Sequence, residues 1–380
     1  MKYYLIAGEA SGDLHGSNLM KGIKNVDPQC EFRFWGGDLM ASVGGTLVKH
    51  YKESAVMGLV EVFAKLDKIR RNFEYCKEDL LTYRPDVVIL IDYPGFNLKI
   101  AKFAKSHGIR VFYYIAPKLW ARGEGRIVKI KKYVDELFII FPFEIEYFHR
   151  LGVDAHYFGN PLIDSISQDK CSTESRDEFL RRTSLQDKPV IALLAGSREA
   201  EIKYLLPRFV ILESLMKESK WTDYQLVLAA AKSIDRSIYR KYLPEDSKIK
   251  ILYGETYSIV KQADAAIISS GTASLEAALI GTPQVVCYGF NEITYLLARL
   301  LVHVNYISLA NLILDKLIFK ELIQHDATPD KMLKELDKLV FDNKYRENME
   351  EDYVRLKEVL GGGGASDKIA SAMINILKSK

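Results

Sequence analysis

The feature that most constrains this chain is a rhythm. Short apolar runs rich in β-branched and aromatic residues alternate with longer amphipathic stretches, and the pattern occurs twice in succession. In the first half the runs lie at 3–7, 32–35, 87–91, 111–115 and 137–140, with helical periodicity at 14–24, 68–83, 98–106 and 125–133. Runs such as VVILI at 87–91 have no polar face, so they read as strands covered on both sides. Strands of that kind alternating with helices specify an α/β protein with parallel sheets. The rhythm restarts at 190–195 and continues through 225–228, 250–252, 265–268 and 285–288. Two such halves predict two Rossmann-like domains facing a central cleft, and the polar stretch 164–188 reads as the linker between them. From 329 onward the chain reads as charged helices interrupted by four glycines at 361–364. The expected boundaries are 1–165 for an N-terminal domain, 186–345 for a C-terminal domain, and 346–380 for helices packing back toward the first.

Composition narrows the function classes. With 380 residues, 48% of them hydrophobic, the chain can fill two cores without disulfides or structural metals. Its 53 basic and 50 acidic side chains leave a formal charge of +3, which excludes a polycation that coats nucleic acid. Cys30, Cys76, Cys171 and Cys287 are scattered with no CxxC spacing, as expected in a reducing compartment. The first apolar run is too short for a signal-peptide core, and no stretch approaches the length of a membrane span. These features predict a cytoplasmic protein. No GxxxxGK[ST], GxGxxG or HExxH occurs, which argues against a P-loop, a dinucleotide fingerprint and a bound metal. A diphosphate would then be held by Arg, Lys and helix dipoles, with neither metal nor cofactor.

In open parallel sheets, ligands bind beyond the carboxyl ends of the strands. The unusual residues fall there repeatedly. Gly8-Glu9-Ala10-Ser11-Gly12-Asp13 follows the first run, and Asp92-Tyr93-Pro94-Gly95-Phe96-Asn97 follows 87–91. Ala116-Pro117-Lys118-Leu119-Trp120-Ala121-Arg122 follows 111–115, and Phe141-Pro142-Phe143-Glu144 follows 137–140. In the second half, Gly196-Ser197-Arg198 and Ser269-Ser270-Gly271-Thr272 are small-residue turns that open helices. A helix N-terminus favours an anion, and Arg198 can add a bidentate hold on a diphosphate. Glu276, one turn further on, can accept hydrogen bonds from ribose hydroxyls. Each feature also has a purely structural reading: an N-cap for the Ser-Gly turn, an Asx turn for Asp92, a packed core residue for His15. Ten basic residues lie between Lys99 and Lys132 with only Glu124 opposing them. Beside them, apolar positions at 59–69 have helical spacing. They fit either a core helix or a surface resting on an anionic membrane.

Taken together, GEASGD at 8–13 with Leu14-His15-Gly16, Val56-Met57-Gly58, IDYPGFN at 91–97 and Gly159-Asn160-Pro161-Leu162 resemble the lipid-A-disaccharide synthases. LLAGSREAEI at 193–202, SSGTASLEAAL at 269–279 and YISLANLI at 306–313 extend that resemblance over nearly the whole chain. It implies a GT-B glycosyltransferase that moves 2,3-diacylglucosamine from UDP-2,3-diacylglucosamine to the 6-hydroxyl of 2,3-diacylglucosamine 1-phosphate (lipid X). The products are a β-1′,6-linked lipid A disaccharide 1-phosphate and UDP, formed with inversion. It further implies peripheral association with the cytoplasmic face of the inner membrane and a homodimer with exchanged C-terminal parts. Asp92 matches the family's base and is the first candidate here, with Glu9 second and His15 third. Arg198 would neutralise the departing UDP, helped by Gly196, Ser197, Ser270, Gly271 and Thr272, with Glu276 on the ribose and Asn311 orienting the donor. Ser11, Met57, Gly58, Asn97, Trp120 and Arg122 would face the acceptor and its lipid.

The chain departs from the family pattern in three places, one of them the four-glycine run at 361–364. Many relatives read roughly PSVWAWR where this chain has Pro117-Lys118-Leu119-Trp120-Ala121-Arg122-Gly123, and the Pro of SLPN is Ala310. The change at 117–123 loosens the roles carried over to Arg122 and Arg126. A UDP-sugar 2-epimerase and a non-catalytic nucleotide-sugar binder share the expected architecture and remain as alternatives.

Overall fold

The computed structural model describes residues 1–54, 66–121, 123–217, 219–289 and 305–379. The chain forms two compact units, one of Met1–Ser165 with Leu360–Lys380 and one of Ile166–Val359.

The first unit is built on a parallel sheet of seven strands: β1 (Lys2–Ala7), β2 (Glu31–Gly36), β3 (Thr46–His50), β4 (Val87–Ile91), β5 (Arg110–Tyr114), β6 (Glu136–Ile139) and β7 (Ala155–Tyr157). Their order across the sheet is β3-β2-β1-β4-β5-β6-β7. Every residue of β4 is buried, as its unbroken apolar sequence requires. The chain winds one way from β1 to β3 and the other way from β4 to β7, so the switch point lies between β1 and β4. Their register pairs Ala7 with Ile91, which sets Glu9 and Asp92 side by side just beyond the strand ends.

A polar lock fixes one flank of this sheet. The Tyr4 hydroxyl donates to Asp79 at 2.7 Å and accepts from the Trp35 indole at 3.0 Å, while Arg33 Nε donates to Asp79 at 2.9 Å. Asp79 sits on the helix Leu66–Tyr83, so the lock joins that helix to β1 and β2. The last helix, Ala365–Lys378, packs on Ala10–Val26. Gly22 allows this close approach, since a Cβ there would lie 3.0 Å from that of Ala370. Asp164 fastens the start of the last helix by accepting from the amides of Gly364 at 2.6 Å and Ser366 at 2.9 Å.

The second unit has a parallel sheet of six strands: β8 (Val190–Leu194), β9 (Gln225–Ala230), β10 (Lys250–Tyr253), β11 (Ala265–Ser269), β12 (Gln284–Tyr288) and β13 (Glu321–Ile323). The order β10-β9-β8-β11-β12-β13 places its switch point between β8 and β11.

Three strands escape the sequence rhythm, namely β3, β7 and β13. All lie at sheet edges, where half-exposed residues carry no long apolar run. The linker reading of 164–188 is corrected. That stretch holds the end of the helix Pro161–Ser167, a 3-10 turn at Lys170–Ser172 and the helix Arg176–Thr183. The last begins in a capping box between Ser175 and Glu178, and Phe179 is wholly buried in the second unit's core. The expected segment 346–380 is divided between the units: Asn343–Val359 belongs to the second and Ala365–Lys378 to the first. Most of the apolar stretch at 59–69 lies outside the described residues. Among those described, no helix is long and apolar enough to cross a membrane.

Candidate functional site

The first unit gathers its reactive groups at the β1/β4 switch point. Glu9 is the N-cap of Ala10–Val26, yet its side chain makes no capping bond, so the exposed carboxylate is left for other use. Ser11 is exposed in the next turn. Asp13, from the same motif, serves the architecture: its carboxylate accepts from the amides of Gly37 at 2.7 Å, Met40 at 3.0 Å and Leu39 at 3.1 Å. That fixes the loop after β2.

Asp92 is presented by a strained turn. Both Asp92 (φ 45°) and Tyr93 (φ 50°) have left-handed backbone, which costs a residue with a Cβ roughly 1–2 kcal/mol. The turn survives because its carbonyl is clamped. The Tyr113 hydroxyl donates to the Asp92 carbonyl at 2.6 Å, and the Asn97 amide donates to it at 2.8 Å. Asn97 also donates to the Ile91 carbonyl at 3.2 Å and is wholly buried. It therefore holds Asp92 in place and is not a side chain on the exposed edge. Gly8 is required by the same turn, because a Cβ there would lie 2.4 Å from the Tyr93 ring. Burial raises the Asp92 carboxyl above the usual range and Glu9 adds to this, while Lys118 and the Tyr93 amide pull it back.

His15 is buried, and burial together with Lys118 lowers its pKa to about 4. So low a pKa makes the imidazole a weak base. Its Nδ1 has no hydrogen-bond partner among the described residues.

The loops after β5 and β6 add a carboxylate, Glu144, to which the sequence reading gave no role. Glu144 is 1% exposed and accepts from the Trp120 indole at 3.0 Å and the Phe141 amide at 3.2 Å. Burial raises its pKa to about 7 despite those bonds. Trp120 is thereby fixed by a carboxylate, with its ring edge-on to Phe143. Arg126 is half-buried near the Tyr113 hydroxyl. Met57, Gly58 and Arg122 lie outside the described residues.

The second unit presents a glycine turn at its own switch point. Gly196 has φ 99° after β8, and a Cβ there would lie 2.1 Å from a carboxylate oxygen of Glu201, so only glycine fits. Glu201 accepts from the amides of Ser197 at 3.0 Å and Arg198 at 3.3 Å, and Arg198 reaches it at 3.4 Å. Arg198 is 54% exposed, a cation tethered at the strand end and open to an anion.

Across the switch point, Thr272–Ile280 starts after β11 with no side-chain cap, leaving first-turn amides for a ligand. The Ser270 amide donates to the Cys287 carbonyl at 3.2 Å. The free donors therefore begin at Gly271 and Thr272, which corrects the expectation for Ser270's backbone. Glu276 accepts from the Tyr257 hydroxyl at 2.8 Å, and burial raises its pKa. Nothing in the sequence pattern pointed to Tyr257. Asn311 is fully engaged within its own segment: its amide donates to Phe319 O at 3.1 Å and Glu321 at 2.9 Å, and its oxygen accepts from the Ile318 amide at 3.0 Å. Glu321 in turn accepts from the amides of Ile307 and Ser308. Asn311 thus shapes the loop 306–321. Among the described residues, no cluster of three or more His, Cys, Asp or Glu is arranged to hold a metal ion.

Two consecutive Rossmann-like units, each with polar groups gathered at its switch point, define an α/β protein of the GT-B architecture. A UDP-GlcNAc 2-epimerase from Methanocaldococcus jannaschii, solved with UDP-GlcNAc and UDP, shares this fold over 100% of both chains, with a TM-score of 0.66 at 15% identity. The family model described as lipid-A-disaccharide synthetase matches residues 3–372. The lipid-A-disaccharide synthase of Syntrophus aciditrophicus is 37% identical over 98% of this chain and 97% of its own length. That of Geobacter sulfurreducens is 36% identical over 98% and 96%. The chain belongs to the lipid-A-disaccharide synthetase family and is a glycosyltransferase of lipid A biosynthesis.

Proposed function

We propose that the enzyme transfers 2,3-diacylglucosamine from UDP-2,3-diacylglucosamine to the 6-hydroxyl of 2,3-diacylglucosamine 1-phosphate, in one inverting displacement that releases UDP. The observation that carries this reading is the strained, doubly clamped turn that presents Asp92 beside Glu9 at the β1/β4 switch point. Backbone strain maintained at such a place is a hallmark of a functional site. Asp92 takes the proton of the acceptor hydroxyl as the new glycosidic bond forms, and Glu9 orients the acceptor. On the donor side, Arg198 and the amides of Gly271 and Thr272 receive the charge that develops on the departing UDP. Glu276, oriented by Tyr257, accepts from the ribose hydroxyls. Asn311 keeps the loop 306–321 in shape around the donor. No step of this scheme is assigned to a metal.

The enzyme works at the cytoplasmic face of the inner membrane. Support comes from the basic stretch between Lys99 and Lys132 and from Val128, which is 65% exposed on the helix Ile127–Tyr133 among Lys129, Lys131 and Lys132. The test is incubation with both lipids in detergent micelles, followed by mass spectrometry and NMR of the product. A β-linked disaccharide 1-phosphate is expected. An α linkage would overturn the single displacement, and donor conversion without acceptor would favour an epimerase.

A further inference from the structure

We propose that Lys118 is the anion anchor of the acceptor site. Its ammonium binds the phosphate monoester of the acceptor sugar and sets a preference for phosphorylated acceptors. This rests on the transfer reaction proposed above.

The argument starts from the loop after β5. That strand lies between β4 and β6, so its loop stands between the Asp92 turn and the loop that carries Glu144. The loop backbone is closely fixed. Ile115 leaves the strand with φ 61°, the Leu119 amide donates to the Pro117 carbonyl at 2.6 Å, and the Ala121 amide donates to the Lys118 carbonyl at 3.1 Å. Leu119 is buried, and Trp120 is tied to Glu144. The Lys118 side chain is the part left over. It is exposed, with no hydrogen bond or ion pair among the described residues.

A lysine ammonium is a compact cation with three donors, and none of the three is taken by a described residue. Lys118 is near enough to influence Asp92, His15 and Glu144, yet it bonds to none of them. A phosphate monoester is the matching counterpart, being close to a dianion at neutral pH. The charge balance of the reaction points the same way. A dianion near Asp92 would disfavour ionisation of the base, and an intervening cation offsets that effect. The acceptor carries its phosphate across one sugar ring from the reacting 6-hydroxyl, and the β5 loop neighbours the β4 turn.

The test compares lipid X with the same lipid lacking its 1-phosphate, in micelles, using the full-length protein. Lys118→Met should lower the ratio of the two kcat/KM values at least ten-fold, and Lys118→Arg should restore most of it. Effects on folding or on Asp92 alone act on both acceptors and cancel in the ratio. An unchanged ratio in Lys118→Met overturns the proposal. Equilibrium binding of lipid X and its dephosphorylated form is read alongside, independent of turnover. If the native enzyme turns over neither acceptor, the transfer reaction fails, and binding decides the anchor separately. A phosphate-dependent affinity lost in Lys118→Met supports it, and one retained refutes it.

Discussion

Replacing Asp92 with Asn separates the chemistry of this turn from its architecture. The backbone at Asp92 and Tyr93 is left-handed, and Asn tolerates that region as well as any residue with a Cβ. The clamps from Tyr113 and Asn97 act on the main-chain carbonyl, so they survive the substitution. Burial and Glu9 hold the Asp92 carboxyl above its unfolded pKa, so its ionised form weakens the fold. The sign follows by linkage: the protonated form's advantage is complete below the unfolded pKa and is lost as pH rises through the folded one. A neutral Asn avoids that loss. Asp92→Asn should therefore match the native protein at pH 3 and equal or exceed its stability at pH 8, by up to about 1 kcal/mol within the ordinary range of mutational effects. Turnover should fall about 10²- to 10⁴-fold, the usual worth of a general base, while UDP binding is retained. Denaturant melts at the two pH values and acceptor-dependent UDP release measure both arms. Turnover within about ten-fold of native, under about 1.4 kcal/mol of barrier, would remove Asp92 as the base and leave Glu9. A stability loss above about 2 kcal/mol at pH 8 would show that the carboxylate is a structural group.

Glu144, with a pKa raised from 4.5 to about 7, should cost the protein stability as pH rises through 7, by roughly 3 kcal/mol at full ionisation. Glu144→Gln should flatten that dependence in denaturant melts at pH 5 and 8.5, and an unchanged slope would refute the assignment. Arg198→Met should reduce kcat/KM about 10²- to 10³-fold, in line with loss of one donor to developing charge, and steady-state kinetics with donor varied would show it. A near-native value would place the leaving-group contact elsewhere. Asp164→Ala strips two backbone amides of a buried carboxylate and should cost about 2–4 kcal/mol, with the last helix becoming sensitive to limited proteolysis. A protected C-terminus in that variant would contradict the fastening role.

Much of this architecture was legible in the chain. β4 appears in the sequence with the same ends as in the fold, because a strand buried on both faces must be apolar throughout. Edge strands β3, β7 and β13 are under no such demand. The loops read from the sequence do follow the buried strands β1, β4, β5, β6, β8 and β11 in the fold. What could not be read was which groups those side chains meet. Asn97 and Asn311 look like polar ligand contacts in sequence, yet Asn97 spends its amide on nearby carbonyls and Asn311 on the Phe319 carbonyl and Glu321. Ser175 and Glu178 spell a capping box that the surrounding polar residues disguised as linker. Glu144 and Tyr257 depend on partners 24 and 19 residues away, a relation that local pattern does not carry.

The most direct test of the central claim is UDP release from UDP-2,3-diacylglucosamine in micelles, with and without lipid X. The account predicts release only when lipid X is present, matched mole for mole by a lipid A disaccharide 1-phosphate. Equal release without the acceptor, or none although both lipids bind, would contradict it.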